Sequence, residues 1–451
     1  MNLTRRELLR RSGYLGLLGL AGGALPLPRL EAGEDGGGYG PLVSDPQRIL
    51  DLPRGFSRVV FSRTGEPMSD GLRVPGCHDG MAAFPGPGGL TILVRNHEQA
   101  PGDPSAFGRE GDPLAGVPRE KLYDAGHGRS PCQGGTTTLV YDTGARQLVR
   151  QWLSLAGTDR NCAGGPTPWG SWITCEESVA GAGDEMERDH GWCFEVPATA
   201  EPVLHTPVPL RGLGRFNHEA IAVDPRTGVV YLTEDRGDGL LYRFVPEREG
   251  SAGLRQGGKL QALVLHDLPA ARTGNHKGTV VSLGQELAVR WVDLQETDAP
   301  RDDLRQRGFA AGAAQFARGE GIWWSGEALY FCCTAGGRVA RGQVWRLAPA
   351  VQEQQPDRLT LLVEPNDESL LDNCDNITVA PWGDLVLCED GARGNGLVGV
   401  TPAGKTYRLA WNAANESELC GACFSPDGST LFVNVQRPGC TLAITGPWRT
   451  M

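Results

Sequence analysis

The stretch DPRTGVVYLTEDR at residues 224–236, followed two residues later by GLLYRFVPE at 239–247, decides the fold. D-P-x-T-G is turn chemistry, because proline presets φ and glycine accepts positive φ. The apolar run that follows is rich in β-branched and aromatic residues and reads as a buried strand. It ends on Glu234, Asp235 and Arg236, and the chain then turns into a second apolar strand. The unit is therefore turn, strand, acid, strand.

That unit recurs. GPGGLTILVRNHE (86–98) precedes GTTTLVYDTGARQLV (135–149), and PWGSWITCEES (168–178) precedes GWCFEVPA (191–198). SGEALYFCCTAGG (325–337) leads to GQVWRLAP (342–349), PWGDLVLCEDG (381–391) leads to LVGVTPAGKTYRLA (397–410), and SPDGSTLFVNVQRPG (425–439) closes the series. About six such units, each with its own turn signals, predict an all-β chain folded as a β-propeller, six-bladed, over residues 42–451. Their uneven spacing predicts insertions at 101–132 and 251–316. A large sandwich is the competing architecture, but it gives no reason for an acid-rich strand end to reappear.

Composition agrees. The chain has 451 residues with 64 glycines and 32 prolines, a share that suits many short strands joined by turns. Fifty-four acidic residues against 43 basic ones give a formal charge of −11, with no basic stripe beyond the N-terminus, so nucleic acid is not an expected partner. At the N-terminus Thr4, Arg5 and Arg6 before Leu8 and Leu9 resemble a twin-arginine export signal, which the apolar run at 13–27 completes. Residues 1–32 are read as that signal peptide and 33–41 as a glycine-rich linker. An uncleaved anchor is the competing reading. The expected destination is periplasmic or extracellular, reached through the twin-arginine export machinery, with no stable membrane span and a monomeric chain. The twelve cysteines form no zinc-type spacing and assign no disulfide pattern.

In a propeller, equivalent strand ends converge on one face near the axis. The units place there Asn96, His97 and Glu98; Glu176 and Glu177; Glu234, Asp235 and Arg236; and Cys388, Glu389 and Asp390. A second set precedes the apolar strands: Asn217, His218 and Glu219; Arg318 and Glu320; Asp375 and Asn376. Carboxylates gathered this closely repel one another unless cations neutralise them. Oxygen ligands suit calcium or ferric iron, and the thiol of Cys162, on the glycine-rich turn of RNCAGGPTPWGSWITCEE (160–177), would add a soft ligand for a transition metal.

That stretch, together with GRFNHEAIAVDPRTGVVYLTEDR (214–236), FARGEGIWW (316–324), DNITVAPWGDLVLCEDG (375–391) and GACFSPDGSTLFV (421–433), resembles the PhoX family of exported alkaline phosphatases. The resemblance implies a six-bladed propeller and a site built from Fe3+ and Ca2+, hydrolysing small phosphate esters. It implies that Cys162 bridges iron, that Glu219 and Glu320 ligate iron, and that Arg318 binds phosphate. Asn96, Glu98, Glu176, Glu177, Glu234, Asp375, Asn376 and Glu389 fall in its calcium-holding motifs. Metal-assisted hydrolysis needs no serine nucleophile, and the sequence has no G-x-S-x-G elbow. Two alternatives stay open: a calcium-dependent propeller lactonase or esterase, and a calcium-stapled propeller that binds a partner without turnover. Neither has a use for Cys162.

Overall fold

The computed structural model describes residues 38–103, 117–352 and 355–449. The export signal, most of the linker and part of the first insertion lie outside the described residues.

Strands dominate, and they sort into six antiparallel groups. The first runs His78–Pro85, Thr91–His97, Gly134–Asp142 and Gln147–Thr158. The second is Asn161–Pro166, Ser171–Glu176 and Cys193–Pro197. The third is His218–Val223, Val230–Glu234, Gly239–Pro246 and Gly258–Leu265. The fourth is Gly319–Ser325, Ala328–Cys333, Gln343–Ala348 and Asp357–Val363. The fifth is Cys374–Val379, Leu385–Glu389, Gly396–Val400 and Thr406–Asn412. In the sixth, Leu419–Phe424, Thr430–Val435 and Cys440–Thr445 take their outer strand from far upstream, Ser57–Arg63. Pairing the two ends of the chain in one sheet closes the ring and removes an exposed edge.

The leading strand of each group neighbours the leading strand of the next, in a circuit that returns to its start. Gly80, Ala163, Ala220, Gly321, Asn376 and Gly421, one from each leading strand, line a single axial space. The chain is thus a β-propeller. Small residues are needed at this axis. A Cβ on Gly80 would stand 2.6 Å from Ala163 Cα, and one on Gly321 would stand 2.8 Å from Asn376 Cα, so larger side chains would push the inner strands apart.

The core lies between blades. Phe331, Trp345 and Leu361 of the fourth blade meet Tyr231, Leu241 and Leu263 of the third, while Met81, Leu93 and Leu139 of the first meet Phe432 and Ala443 of the sixth. Such strands are buried on both faces and read as near-continuous apolar runs rather than as alternation. The two predicted insertions have different outcomes. Residues 251–316 supply the strand Glu286–Asp293, which pairs with both Gly258–Leu265 and Asp357–Val363 and joins two blades into one sheet. The described part of 101–132 packs over a small cluster of Val117, Leu122, Leu153 and Ala156.

Candidate metal centre

Each inner strand begins in register with its neighbour and then slips. The irregularity falls between His78 and Met81, Asn161 and Gly164, His218 and Ile221, Gly319 and Ile322, Cys374 and Ile377, and Cys420 and Cys423. A bulge leaves a residue off the ladder and re-aims its side chain. The first unpaired residue in these six places is Asp79, Cys162, Glu219, Glu320, Asp375 and Gly421. Five inner strands therefore present a metal-ligating side chain at one repeated position, and the sixth presents glycine.

The repeat extends backwards by two residues. Cys77, Arg160, Arg318 and Asn373, each two positions before one of these residues, all have positive φ, between 47° and 58°. Left-handed backbone at a non-glycine residue costs of the order of 1 kcal/mol or more and concentrates at functional sites. Here it turns Arg160 and Arg318 towards the band. Arg318 Nε and Nη2 each donate to a different oxygen of Asp235 at 2.7 Å, and Nη2 also donates to Glu320 Oε1 at 2.7 Å. Arg160 donates to Glu177 at 2.5 Å.

Asp79, Glu98 and Cys162 come together, as do Cys162, Glu177 and Glu219; Glu219, Glu320 and Asp375; and Asp375, Asp390 and Glu418. In each triad the ligand atoms lie within 4.8 Å of one another. The triads share Cys162, Glu219 and Asp375, so they form one continuous band around the axis. The Cys162 thiol donates to Glu219 Oε1 at 3.1 Å and to Asp79 Oδ2 at 3.8 Å. Gln436 braces the end of the band by donating to both Asp79 and Glu98 at 2.9 Å.

Burial pushes the carboxyl groups of Glu219 and Glu320 well above the usual range. For Glu219 the charges of Glu177, Asp375, Asp235 and Asp79 push further in the same direction; for Glu320 those of Asp235, Asp375 and Glu219 do. Buried Glu219 Oε2 has no hydrogen-bond partner. The carboxylates outnumber the guanidiniums of Arg160 and Arg318 that pair with them. An arrangement of hard oxygens around one thiol, with surplus negative charge and an unsatisfied buried oxygen, fits bound cations.

The sequence-derived candidates divide into two sets. Cys162, Glu219, Glu320, Glu98, Glu177 and Asp375 are all in the band, and Arg318 borders it. Asn96, Glu176, Glu234, Asn376 and Glu389 stand beside it with other partners. Glu176 accepts from His190 Nδ1 at 2.7 Å and from the backbone N–H of Asp159, Gly191 and Trp192. Glu234 accepts from the Tyr242 hydroxyl at 2.7 Å and the Leu240 N–H. Glu389 accepts from Arg408 and from the N–H groups of Asp372 and Gly396. These three glutamates hold the start of the third strand in their own blades. Adjacent residues on a strand point to opposite sides, so it is the following residue in each pair, Glu177, Asp235 or Asp390, that turns to the band.

The two asparagines hold backbone and neighbours. Asn96 donates to the carbonyls of Cys162 and Ala163 and accepts from Trp172 Nε1 at 2.8 Å, fixing the strand that carries the thiol. Asn376 accepts from the Gly421 N–H at 2.7 Å and donates to Asp375 at 3.1 Å. Asp79, Glu418, Arg160 and Gln436 are the band residues that sequence reasoning did not single out. Asp79 had a signal: in HDG (78–80) it stands, like Cys162 in NCA, Glu219 in HEA and Glu320 in GEG, before a small residue at the start of an apolar strand. All twelve cysteines are buried and none is in a disulfide.

The family model described as "Alkaline phosphatase PhoX" matches residues 37–439. Among solved structures, Pseudomonas fluorescens PhoX in complex with vanadate, a transition state analogue, superposes with a TM-score of 0.65 at 19% identity, over 88% of this chain and 96% of that one. A Xanthomonas campestris gluconolactonase matches with a TM-score of 0.39 at 11% identity, over 90% of this chain and 98% of that one. A luciferin-regenerating enzyme matches with a TM-score of 0.42 at 10% identity, over 86% and 96%. A search of curated proteins finds no significant match.

Proposed function

This chain belongs to the PhoX alkaline phosphatase family and is a metal-dependent phosphatase, and from that premise we propose that the axial band is its active centre. The supporting observation is the repeated register: five of six inner strands carry Asp79, Cys162, Glu219, Glu320 and Asp375 at the same bulge. Cys162, Glu219 and Glu320 would hold Fe3+, the thiolate supplying the soft ligand. Asp79, Glu98, Glu177, Asp375, Asp390 and Glu418 would hold Ca2+, with Asn96 and Asn376 positioning the strands behind them. When bound, these ions would neutralise phosphoryl charge and make a water-derived nucleophile available at the working pH.

The chain's own groups do the rest. Arg318 binds an equatorial phosphoryl oxygen, and its guanidinium plane is set by the two-point pairing with Asp235. As charge builds on that oxygen in the transition state, the fixed N–H donors hold it without reorganising. Arg160 balances Glu177 and Glu98 at the opposite side of Cys162. Asn217 donates to Glu177 at 3.3 Å and to the Asp235 carbonyl, tying the two sides together. No serine or threonine is required as a nucleophile.

Export follows the same reading. Arg5 and Arg6 would direct the folded, metal-loaded chain to the twin-arginine machinery and on to the periplasm or exterior, where it acts as a monomer on small phosphate esters. Among the described residues no helix is long and apolar enough to cross a membrane.

The test is hydrolysis of p-nitrophenyl phosphate at alkaline pH, with vanadate as inhibitor and with chelator followed by metal readdition. Turnover that vanadate suppresses, that chelation abolishes and that metal restores is expected. Turnover unaffected by exhaustive chelation would overturn the reading.

A further inference from the structure

Among the described residues, one group of side chains outside the axial band has the composition of a metal site. Asp124 and Cys132 lie in the insertion between the second and third strands of the first blade, and His190 lies in the equivalent connection of the second blade. All three are fully buried. Their ligand atoms lie within 4.8 Å of one another.

The geometry around His190 is specific. Nδ1 faces Glu176 Oε1 at 2.7 Å, the distance of a charge-assisted hydrogen bond. Nε2 faces Asp124 Oδ2 at 3.3 Å and Cys132 Sγ at 3.7 Å. The first is long for a hydrogen bond of a buried imidazole to a carboxylate. Both distances are close to the edges of a tetrahedron about a zinc-sized ion, which bond lengths near 2.0 Å for nitrogen and oxygen and 2.3 Å for sulfur put at about 3.3 Å for N···O and about 3.5 Å for N···S. A histidine that ligates through Nε2 while Nδ1–H donates to a carboxylate is the usual arrangement at protein metal sites.

A separate observation points the same way. Asp159 is buried, and its Oδ1 has no hydrogen-bond partner. Its largest charge interaction is with His190. Asp124 and Glu176 thus flank a single imidazole, and Asp124 is further held by the N–H groups of Gly126, Glu187 and Arg188.

We propose that Asp124, Cys132 and His190 bind one divalent ion of the zinc class, with Glu176 orienting the imidazole. The carboxylates of Glu176 and Asp124 hold the metal-free imidazole in its protonated form, so binding releases two protons to solvent, one from the Cys132 thiol and one from His190 Nε2, and leaves thiolate, neutral imidazole and carboxylate on the ion. Its role is structural: it ties the first blade's insertion to the second blade's loop. The first blade's insertion sits over a small apolar cluster, and the network around His190 includes Glu176, next in sequence to the band residue Glu177.

The test uses crystals of the full chain grown with Zn2+ and diffraction recorded on both sides of the zinc absorption edge. An anomalous peak at coordination distance from Cys132 Sγ, His190 Nε2 and Asp124 Oδ2 is expected, separate from any peak in the channel. No peak there would overturn the proposal and leave the group as a hydrogen-bonded network, whatever the phosphatase assays find. In solution, Co2+ loaded into Cys162→Ser, which removes the channel thiolate, should still give the intense visible bands of tetrahedral cobalt with a thiolate ligand. Cys132→Ser added to that background should remove them; bands unchanged by Cys132→Ser would equally overturn the assignment. Should Cys132→Ser not fold, Cys132→Asp keeps an oxygen ligand and should hold Co2+ without the thiolate band.

Discussion

Replacing Arg318 with alanine probes the band from the side proposed to bind phosphate. Three donor contacts, two to Asp235 and one to Glu320, all at 2.7 Å, fix the guanidinium on a side chain that is 22% exposed and so open to the channel mouth. A preorganised donor aimed at developing charge contributes about 2 to 4 kcal/mol to the transition state. At 1.36 kcal/mol per tenfold, that is a loss of about 30- to 1000-fold in kcat/KM. Arg318→Lys keeps a point charge but loses the planar fork, and should fall between wild type and alanine. Asp235→Asn leaves the guanidinium present but less firmly held, and should cost less than Arg318→Ala. The assay is steady-state hydrolysis of p-nitrophenyl phosphate, with metal content measured on the same samples so that lost metal is not mistaken for lost chemistry. Wild-type kcat/KM in a fully metal-loaded Arg318→Ala protein would remove the residue from the mechanism.

Three further outcomes follow from the electrostatics. Glu219 and Glu320 have folded pKa values raised by burial and like charge, so in the metal-free chain their contribution to stability is present in acid and is lost as pH rises through those values; Tm of the chelated protein should fall from mildly acidic to alkaline pH, and a flat profile would contradict the crowding. Glu219→Gln removes a buried, partly unsatisfied charge, so it should raise Tm of the metal-free chain while abolishing metal uptake and turnover, as calorimetry and metal analysis would show. Glu389→Ala leaves Arg408 and two backbone N–H groups without their acceptor and should cost about 1 to 3 kcal/mol in denaturant unfolding, whereas Glu177→Gln should lose metal with little effect on the fold.

The propeller was legible because each blade repeats a turn signal and an apolar run, and because strands packed between neighbouring blades stay apolar on both faces. Its closure was not, since Ser57–Arg63 carries no mark of pairing with Cys440–Thr445 at the other end of the chain. Within the site, motifs located the right turns but did not separate adjacent acids. Glu176 and Glu177 look alike in sequence, and only strand alternation at the end of the ladder sends one to the His190 network and the other to the band. Asp79 shows the complementary case: its small following residue marked the bulge, but the triplet is recognisable only once the other inner strands are aligned on it. Glu418 and Gln436 reach the band through the sixth blade, whose repeated position is glycine, so no motif pointed to them.

The central claim is that one buried band, with Cys162 as its thiolate, both binds iron and carries the phosphatase reaction. Cys162→Ser tests it most directly, because it keeps the volume nearly unchanged and removes the soft ligand. The measurement is p-nitrophenyl phosphate turnover per mole of protein, paired with elemental iron and calcium on the same preparation. Wild type should contain both metals and turn over, while Cys162→Ser should lose iron and turnover together and remain folded; Cys175→Ser, one strand away, should retain both. A Cys162→Ser protein with full activity, or iron-free wild type with full activity, would contradict the account.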